Sequence, residues 1–217
     1  MPSTKTVAIT PELIAAATRP SPWDVGNAVL YQLCRDHPAH TQADEIIAKL
    51  WLIGRTYAAA IERRRIKTSF SGDAFYIDHV APKLIEWRID SWMEGLPGHR
   101  DVSAANLEDV LTCHGRLTAA FYKLTKLDKR SLASKYLHFH HPRLFFIYDT
   151  RAEAALRRLS LARPTPAKSA PDVDQVYAAF ARKCLALREH VKATHDIDLT
   201  PRQLDNLLLE VARRTAR

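Results

Sequence analysis

Apolar residues recur along this chain at three- and four-residue spacing almost throughout, and alternating runs of strand length are missing, so the pattern predicts an all-α fold. The clearest stretch is 41–65. Thr41 and Asp44 read there as a capping box, Ile46, Ile47, Leu50, Ile53, Tyr57 and Ile61 share one face, and Arg63, Arg64 and Arg65 place positive charge at the carboxyl end. A preceding helix is predicted from Asp24 to Asp36, stopping before Pro38. Ser71 or Asp73 starts another, with Ile77, Leu84, Ile85, Ile89 and Trp92 as its apolar residues. Pro82 is expected to kink it, and Gly95 with Pro97-Gly98 to end it. Ser103 reads as the cap of a helix reaching about Tyr122. Further helices are predicted at 150–161, about 173–195 and 201–215. The last has the strongest start signal, with Thr200 as cap, Pro201 in the first turn and Gln203 completing a capping box. The stretch 163–171 (RPTPAKSAP) reads as an exposed loop, and no internal repeat is visible.

Composition narrows the class. The chain has 217 residues, 47% of them hydrophobic and only 6 of them glycine, which suits a globular helical protein large enough to bury a core. Residues 1–22 read as an N-terminal extension and 23–217 as a single helical domain. Cys34, Cys113 and Cys184 are too widely spaced for a disulfide or metal pattern and suit buried thiols in a reducing compartment. Residues 1–22 lack the continuous apolar core of a signal peptide, and no apolar run approaches membrane-spanning length. The expectation is a soluble, cytoplasmic protein, monomeric, with no membrane partner and no cofactor.

Charge points to a polyanion. The formal charge is +8, and within 123–135 Lys123, Lys126, Lys129, Arg130 and Lys135 face one acid, Asp128. Cations at that density repel each other unless an anion lies over them, although a solvated helix end would look the same. The histidines His138, His140 and His141 have no carboxylate or fourth ligand at a metal-binding spacing, so no metal is expected; core packing or phosphate contact accounts for them.

The stretch Lys123–Arg151, KLTKLDKRSLASKYLHFHHPRLFFIYDTR, reads as a basic turn, a short helix, a hydrophobic run and an Asp-Thr-Arg that opens another helix. In this it resembles the helix–hairpin–helix DNA glycosylases, with Leu124, Leu127, Ala133 and Asp149-Thr150-Arg151 at the matching positions. "ASKYLHF", a His-Pro and "FFIYDTRA" look more closely like a bacterial group with the 8-oxoguanine-glycosylase fold. So do Trp23–Cys34 (WDVGNAVLYQLC) and Ala48–Arg64 (AKLWLIGRTYAAAIERR). The resemblance implies a two-lobed helical fold with its hairpin and catalytic segment at about 123–151. Lys126 and Asp128 stand where glycines usually let the backbone approach a phosphate, so the hairpin is degenerate.

By that resemblance Asp149 is the catalytic carboxylate, stabilising the oxocarbenium-like charge that builds on the sugar as an N-glycosidic bond breaks. Read from the residue alone, Asp149 is better taken as the cap of the next helix; the upstream basic turn and the resemblance reverse that preference. The family's Schiff-base lysine falls on Arg130 or Ser131 here, which implies a monofunctional enzyme, with Lys129 and Lys135 keeping a lyase alternative open. Lys123, Lys126, Lys129, Arg130, Ser131 and Arg151 are the candidate DNA contacts. Trp23 and Tyr148 could stack on an extruded base, and Arg55 and Tyr57 could reach into the cleft. Core packing for the aromatics, and a salt bridge for Arg55, stay open. The expected partner is double-stranded DNA carrying a damaged or modified base. The implied substrate is an oxidised purine or a hypermodified cytosine of phage DNA, such as glucosylated hydroxymethylcytosine; the latter would serve antiviral defence rather than DNA repair. A non-catalytic DNA-binding module and a helical protein-interaction adaptor are the alternatives.

Overall fold

A computed structural model of the chain describes residues 6–64, 70–96, 101–161, 170 and 172–215. Helices dominate them: α1 (Pro11–Thr18), α2 (Asp24–Asp36), α3 (Ala43–Thr56), α4 (Ala81–Glu86), α5 (Leu107–Thr125), α6 (Arg130–His140), α7 (Thr150–Leu156), α8 (Gln175–His195) and α9 (Pro201–Thr215). The only β pairing among the described residues is an isolated parallel bridge between Val7 and Leu159. The protein is therefore all-α, as the periodicity predicts, and no described helix is long and apolar enough to cross a membrane. The loop at 163–171 falls outside the described residues except for Ala170, and Arg65 and Pro97-Gly98 also lie outside them.

Helix α6 is the axis of the fold. From Leu132 to Phe139 every side chain is buried, and the helix packs against α2, α3 and α5. A helix buried all round can carry polar residues only if each finds a partner. Ser134 Oγ accepts from Tyr148 N (2.9 Å), the Tyr136 hydroxyl donates to His40 Nε2 (2.7 Å), and His138 Nδ1 donates to Phe145 O (2.8 Å). These bonds thread the strand-like run 144–148 and the loop before α3 onto one helix. A second group, α1, α7 and α9, packs together, and one continuous apolar cluster runs through both groups. Residues 6–22 are not an appended segment. Thr10 caps α1, Leu13, Ile14 and Ala17 of α1 are buried against α9, and Val7 N donates to Arg158 O (2.8 Å).

Several boundaries differ from the pattern, for tertiary reasons. Helix α3 starts at Ala43 with no side-chain cap, so Thr41 and Asp44 form no capping box. It ends at Thr56 rather than 65. Ala58 takes a left-handed φ of 51° and the chain turns back so that Ala60 lies against Gly54, where an added Cβ would meet Ala60 Cα at 2.9 Å. The helix expected from 71 breaks into a π-helical turn (Phe75–Val80), α4, and a 3-10 turn (Ile89–Trp92) after left-handed Arg88. Pro82 has no N–H for the carbonyl four residues back, and the turn before it opens to the wider spacing. The shift buries Phe75, Tyr76 and Val80 and leaves Ile77 exposed. Asn106, not Ser103, precedes α5, and α7 stops at Leu156. The start of α9 follows its sequence signal: Gln203 N donates to Thr200 Oγ1 (3.2 Å) and Thr200 N to Gln203 Oε1 (2.9 Å).

Between α5 and α6 lies a short turn, residues 126–129. Lys126 closes α5 in the left-handed region, with φ 58°, and its N–H bonds Tyr122 O at 2.7 Å. A lysine therefore holds the conformation that glycine adopts without strain, at a cost of roughly 1 kcal/mol. Replacing Lys126 with glycine should raise stability by at most about 0.5 kcal/mol, after the larger entropy of the unfolded glycine chain is subtracted. Denaturant unfolding of the two proteins checks this, and a lower midpoint for the glycine variant would contradict it.

Candidate active site

Four segments converge on one cavity of about 290 Å³: the start of α2 (Trp23, Gly26, Asn27), the end of α3 (Thr56, Tyr57, Ala58), the α6–α7 region (Lys135, Ile147, Asp149, Arg151) and α9 (Arg202, Asp205, Leu209). That volume is at the lower end for small-molecule pockets, roughly 300 Å³. The left-handed turn at Ala58 presents Tyr57 to the cavity, and the buried run 144–147 delivers Asp149 to its wall.

Asp149 is both a cap and a site residue. Its Oδ1 accepts from Arg151 N (2.8 Å) at the start of α7, while its Oδ2 lies 4.0 Å from Lys135 Nζ. Burial pushes this carboxyl up. The Arg151 backbone N–H and the charges of Lys135 and Arg151 outweigh that and hold it below the usual carboxylate value, so Asp149 is ionised at neutral pH. Lys135 is 2% exposed and donates to Ser131 Oγ (2.6 Å) and Tyr148 O (2.8 Å). An ammonium has three N–H bonds, and the remaining one is left for the Asp149 side. Burial lowers the Lys135 pKa, and Asp149 and Asp205 oppose that shift.

The helix α9 contributes what the sequence reading did not name. Arg202 Nη1 donates to Asp205 Oδ2 at 2.9 Å, and the guanidinium lies 5.9 Å from the Tyr57 ring centroid. The Tyr57 hydroxyl donates in turn to Asn27 Oδ1 at 2.6 Å. Burial raises the Asp205 carboxyl from 3.8 to about 6, with Arg202 and Lys135 partly opposing. The two carboxylates of the cavity are thus pushed in opposite directions. A carboxyl raised in the folded state costs stability where it must ionise. The cost is absent below about pH 3.8, grows as pH rises, and is complete above about pH 6. Asp205→Asn should therefore gain stability relative to the native chain as pH climbs through that window, by at most on the order of 3 kcal/mol. Unfolding midpoints of both proteins from pH 4 to 7.5 check the trend, and a difference that is flat or narrows with rising pH would refute it.

The other expected site residues divide. Trp23, Tyr57, Lys135, Asp149 and Arg151 line the cavity together. Arg55 does not: it pairs with Glu62 at 2.6 Å and lies over Trp51, on another side of α3. Tyr148 turns its ring onto Phe180 in the core, and only its carbonyl serves the site, through Lys135. Among the expected DNA contacts, Arg130 is held by Asp174 through two bonds of 3.2 and 2.9 Å, and Asp174 also caps α8. Lys129 Nζ donates to Ala60 O (3.3 Å) and Arg63 O (2.5 Å) and so fastens the turn after α3 to the α5–α6 turn. Ser131 Oγ donates to Tyr148 O at 3.2 Å. Lys123 is exposed and lies over Trp87, while Lys126 and Arg151 are exposed. By fastening Arg63 to the α5–α6 turn, Lys129 also brings exposed Arg63 and Arg64 beside it.

Among the described residues no group of three or more His, Cys, Asp or Glu side chains could hold a metal ion. His138 is a core histidine. Its Nδ1 donates to Phe145 O, its Nε2 pairs with the Tyr31 hydroxyl at 2.6 Å, and burial pushes it down to about 4. Comparison of the chain with family models, curated proteins and solved structures found no match.

Proposed function

We propose that this protein is a monofunctional DNA glycosylase that turns a damaged or modified nucleotide out of the duplex into the Asp149 cavity and hydrolyses its bond to the sugar. The observation that carries the reading is an ionised Asp149 at the wall of a base-sized cavity, with an aromatic ring and buried polar side chains around it. As the C1′–N bond breaks, the base leaves with the bonding electrons and the sugar becomes cationic. The Asp149 carboxylate stabilises that charge and orients a water, whose oxygen bonds to C1′ while its proton passes to the carboxylate. Lys135 acts as a positioning residue: its ammonium, fixed by Ser131 and Tyr148, keeps Asp149 ionised in a half-buried setting. Its two hydrogen bonds oppose service as a Schiff-base nucleophile, while burial, which lowers its pKa, keeps that alternative open to test. Lys129 is tied to Ala60 and Arg63 and does not line the cavity. The fold proposed for this chemistry is the helix–hairpin–helix glycosylase fold, with α5 and α6 as the helices around a degenerate hairpin. Lys123, Lys126, Arg63, Arg64 and Arg151 would meet phosphates there.

The proposed substrates are an oxidised purine, in DNA repair, or a hypermodified cytosine of phage DNA, in antiviral defence. The test is a panel of duplexes carrying oxidised guanine, uracil, alkylated bases and hydroxymethylated or glucosylated cytosine. Breaks that appear only after alkali are expected for one of them, and breaks without alkali would instead make Lys135 a lyase nucleophile. A non-catalytic DNA-binding module is the second reading. It is favoured by the missing hairpin glycines, with Lys126 and Asp128 in their places, and it predicts intact strands with affinity that falls steeply as salt is added.

A further inference from the structure

Three residues that line this cavity each carry a buried polar atom without a hydrogen-bond partner among the described residues: Asn27 Nδ2, Arg202 Nε and Asp205 Oδ1. Their parent groups are not loose. Asn27 is 6% exposed and its Oδ1 is taken by the Tyr57 hydroxyl, which fixes the amide so that its N–H₂ is the free side. Asp205 is 4% exposed and its Oδ2 is taken by Arg202 Nη1, so only Oδ1 is free. Folded proteins leave only a few such atoms orphaned; of the five among the described residues, three belong to residues that line this one cavity, where a bound ligand could complete them.

The sign of each orphan is informative. Asn27 and Arg202 offer donors, and Asp205 offers an acceptor, so the matching ligand edge carries two acceptors and one donor. A pyrimidine pairing edge has that inventory: O2, N3 and the 4-amino group in cytosine, or O2, O4 and N3–H in uracil. Guanine presents the reverse, one acceptor and two donors, and adenine one of each. Tyr57, already anchored through Asn27, stands beside this edge, where a ring face can replace lost base stacking.

We infer that Asn27, Arg202 and Asp205 read the pairing edge of an extruded pyrimidine, so that of the substrate classes above the cytosine derivative is selected over the oxidised purine. The inference rests on the glycosylase reading for its meaning, but its test does not need turnover. Binding of free deoxynucleosides to the full-length protein would be measured by calorimetry or ligand-observed NMR. The set is deoxycytidine, 5-hydroxymethyldeoxycytidine and deoxyuridine against deoxyguanosine, 8-oxodeoxyguanosine and deoxyadenosine. Pyrimidines should bind about tenfold or more tightly than purines, the loss expected when a buried pair goes unmade. Asn27→Asp converts the free donor into an acceptor and should reverse the preference towards guanine; Asn27→Ala should weaken all pyrimidines. Tighter purine binding, no binding of any nucleoside, or an unchanged ranking in Asn27→Asp would overturn the inference. Failure of the glycosylase reading looks different: pyrimidine preference would persist while no DNA released a base. Release of an oxidised purine would do the opposite, sparing the enzyme and sinking the reader.

Discussion

Asp149→Asn should lower base release by roughly 10²- to 10³-fold, the usual cost of removing a charge-stabilising group aimed at the transition state. Asparagine caps helices about as well as aspartate, so Oδ1 can still accept from Arg151 N and α7 should keep its start. DNA affinity should therefore stay close to the native value while the rate collapses, and stability should fall by on the order of 1 kcal/mol because buried Lys135 loses its counter-charge. The split separates the roles that one residue combines here, because a mere cap would show no loss of turnover. Alanine at the same position should lose the cap as well, at about 1 kcal/mol. Parallel measurement of rate, binding and unfolding midpoint checks all three, and a variant that retains turnover would remove Asp149 from the chemistry.

Lys135→Met should have the largest effect on stability. The change takes the Lys135 donor from Ser131 Oγ, leaves the Tyr148 carbonyl with Ser131 alone, and leaves Asp149 without its buried cation. Removing one partner of a buried, hydrogen-bonded charge typically costs on the order of 3 kcal/mol. The same loss has a kinetic sign. The Lys135 charge lowers the Asp149 pKa, so without it the carboxyl should protonate at higher pH and the acidic limb of the rate profile should move upward. Rates taken well below the unfolding midpoint keep the two effects apart. Borohydride should trap no covalent complex between the native protein and DNA, whereas trapping abolished in Lys135→Met would make this lysine the nucleophile.

Local signals in the sequence were good guides where local chemistry decides. The stop of helix α2 before Pro38 and the Thr200–Gln203 start of α9 follow from local signals alone. The end of α3 was not legible because it depends on Ala60 closing onto Gly54, a contact made only after the chain turns back. Ile77 has the apolar spacing of a core residue yet is exposed, because the π-helical turn ahead of Pro82 resets the faces.

The site divides in the same way. Asp149 and Lys135 share a contiguous segment, so their proximity follows from a short helix and a buried return. Asn27 and Asp205 come from opposite ends of the chain, yet each left a trace. Asn27 shares a buried stripe with Leu30 and Cys34, and Asp205 sits among Leu204, Leu207, Leu208 and Val211. A polar residue on an apolar stripe is a usable signal, though not a specific one. Lys49 interrupts the stripe of α3 in the same way, and among the described residues it bonds the carbonyls of His37 and Ala39. What distinguishes Asp205 is an oxygen left without a partner at a cavity, and only the folded chain reveals that. The basic segment misled for a related reason: Asp174, which holds Arg130, is 44 residues away in sequence.

The most direct test of the account is to look for the released base itself. Native protein and Asp149→Asn would each be incubated with duplexes of the panel and with glucosylated phage DNA, and the small-molecule fraction analysed by mass spectrometry. The account predicts one free base, appearing in step with alkali-labile sites in the native reaction and absent with Asp149→Asn. No free base from any DNA, with salt-sensitive binding intact, would contradict it and leave a DNA-binding module in its place.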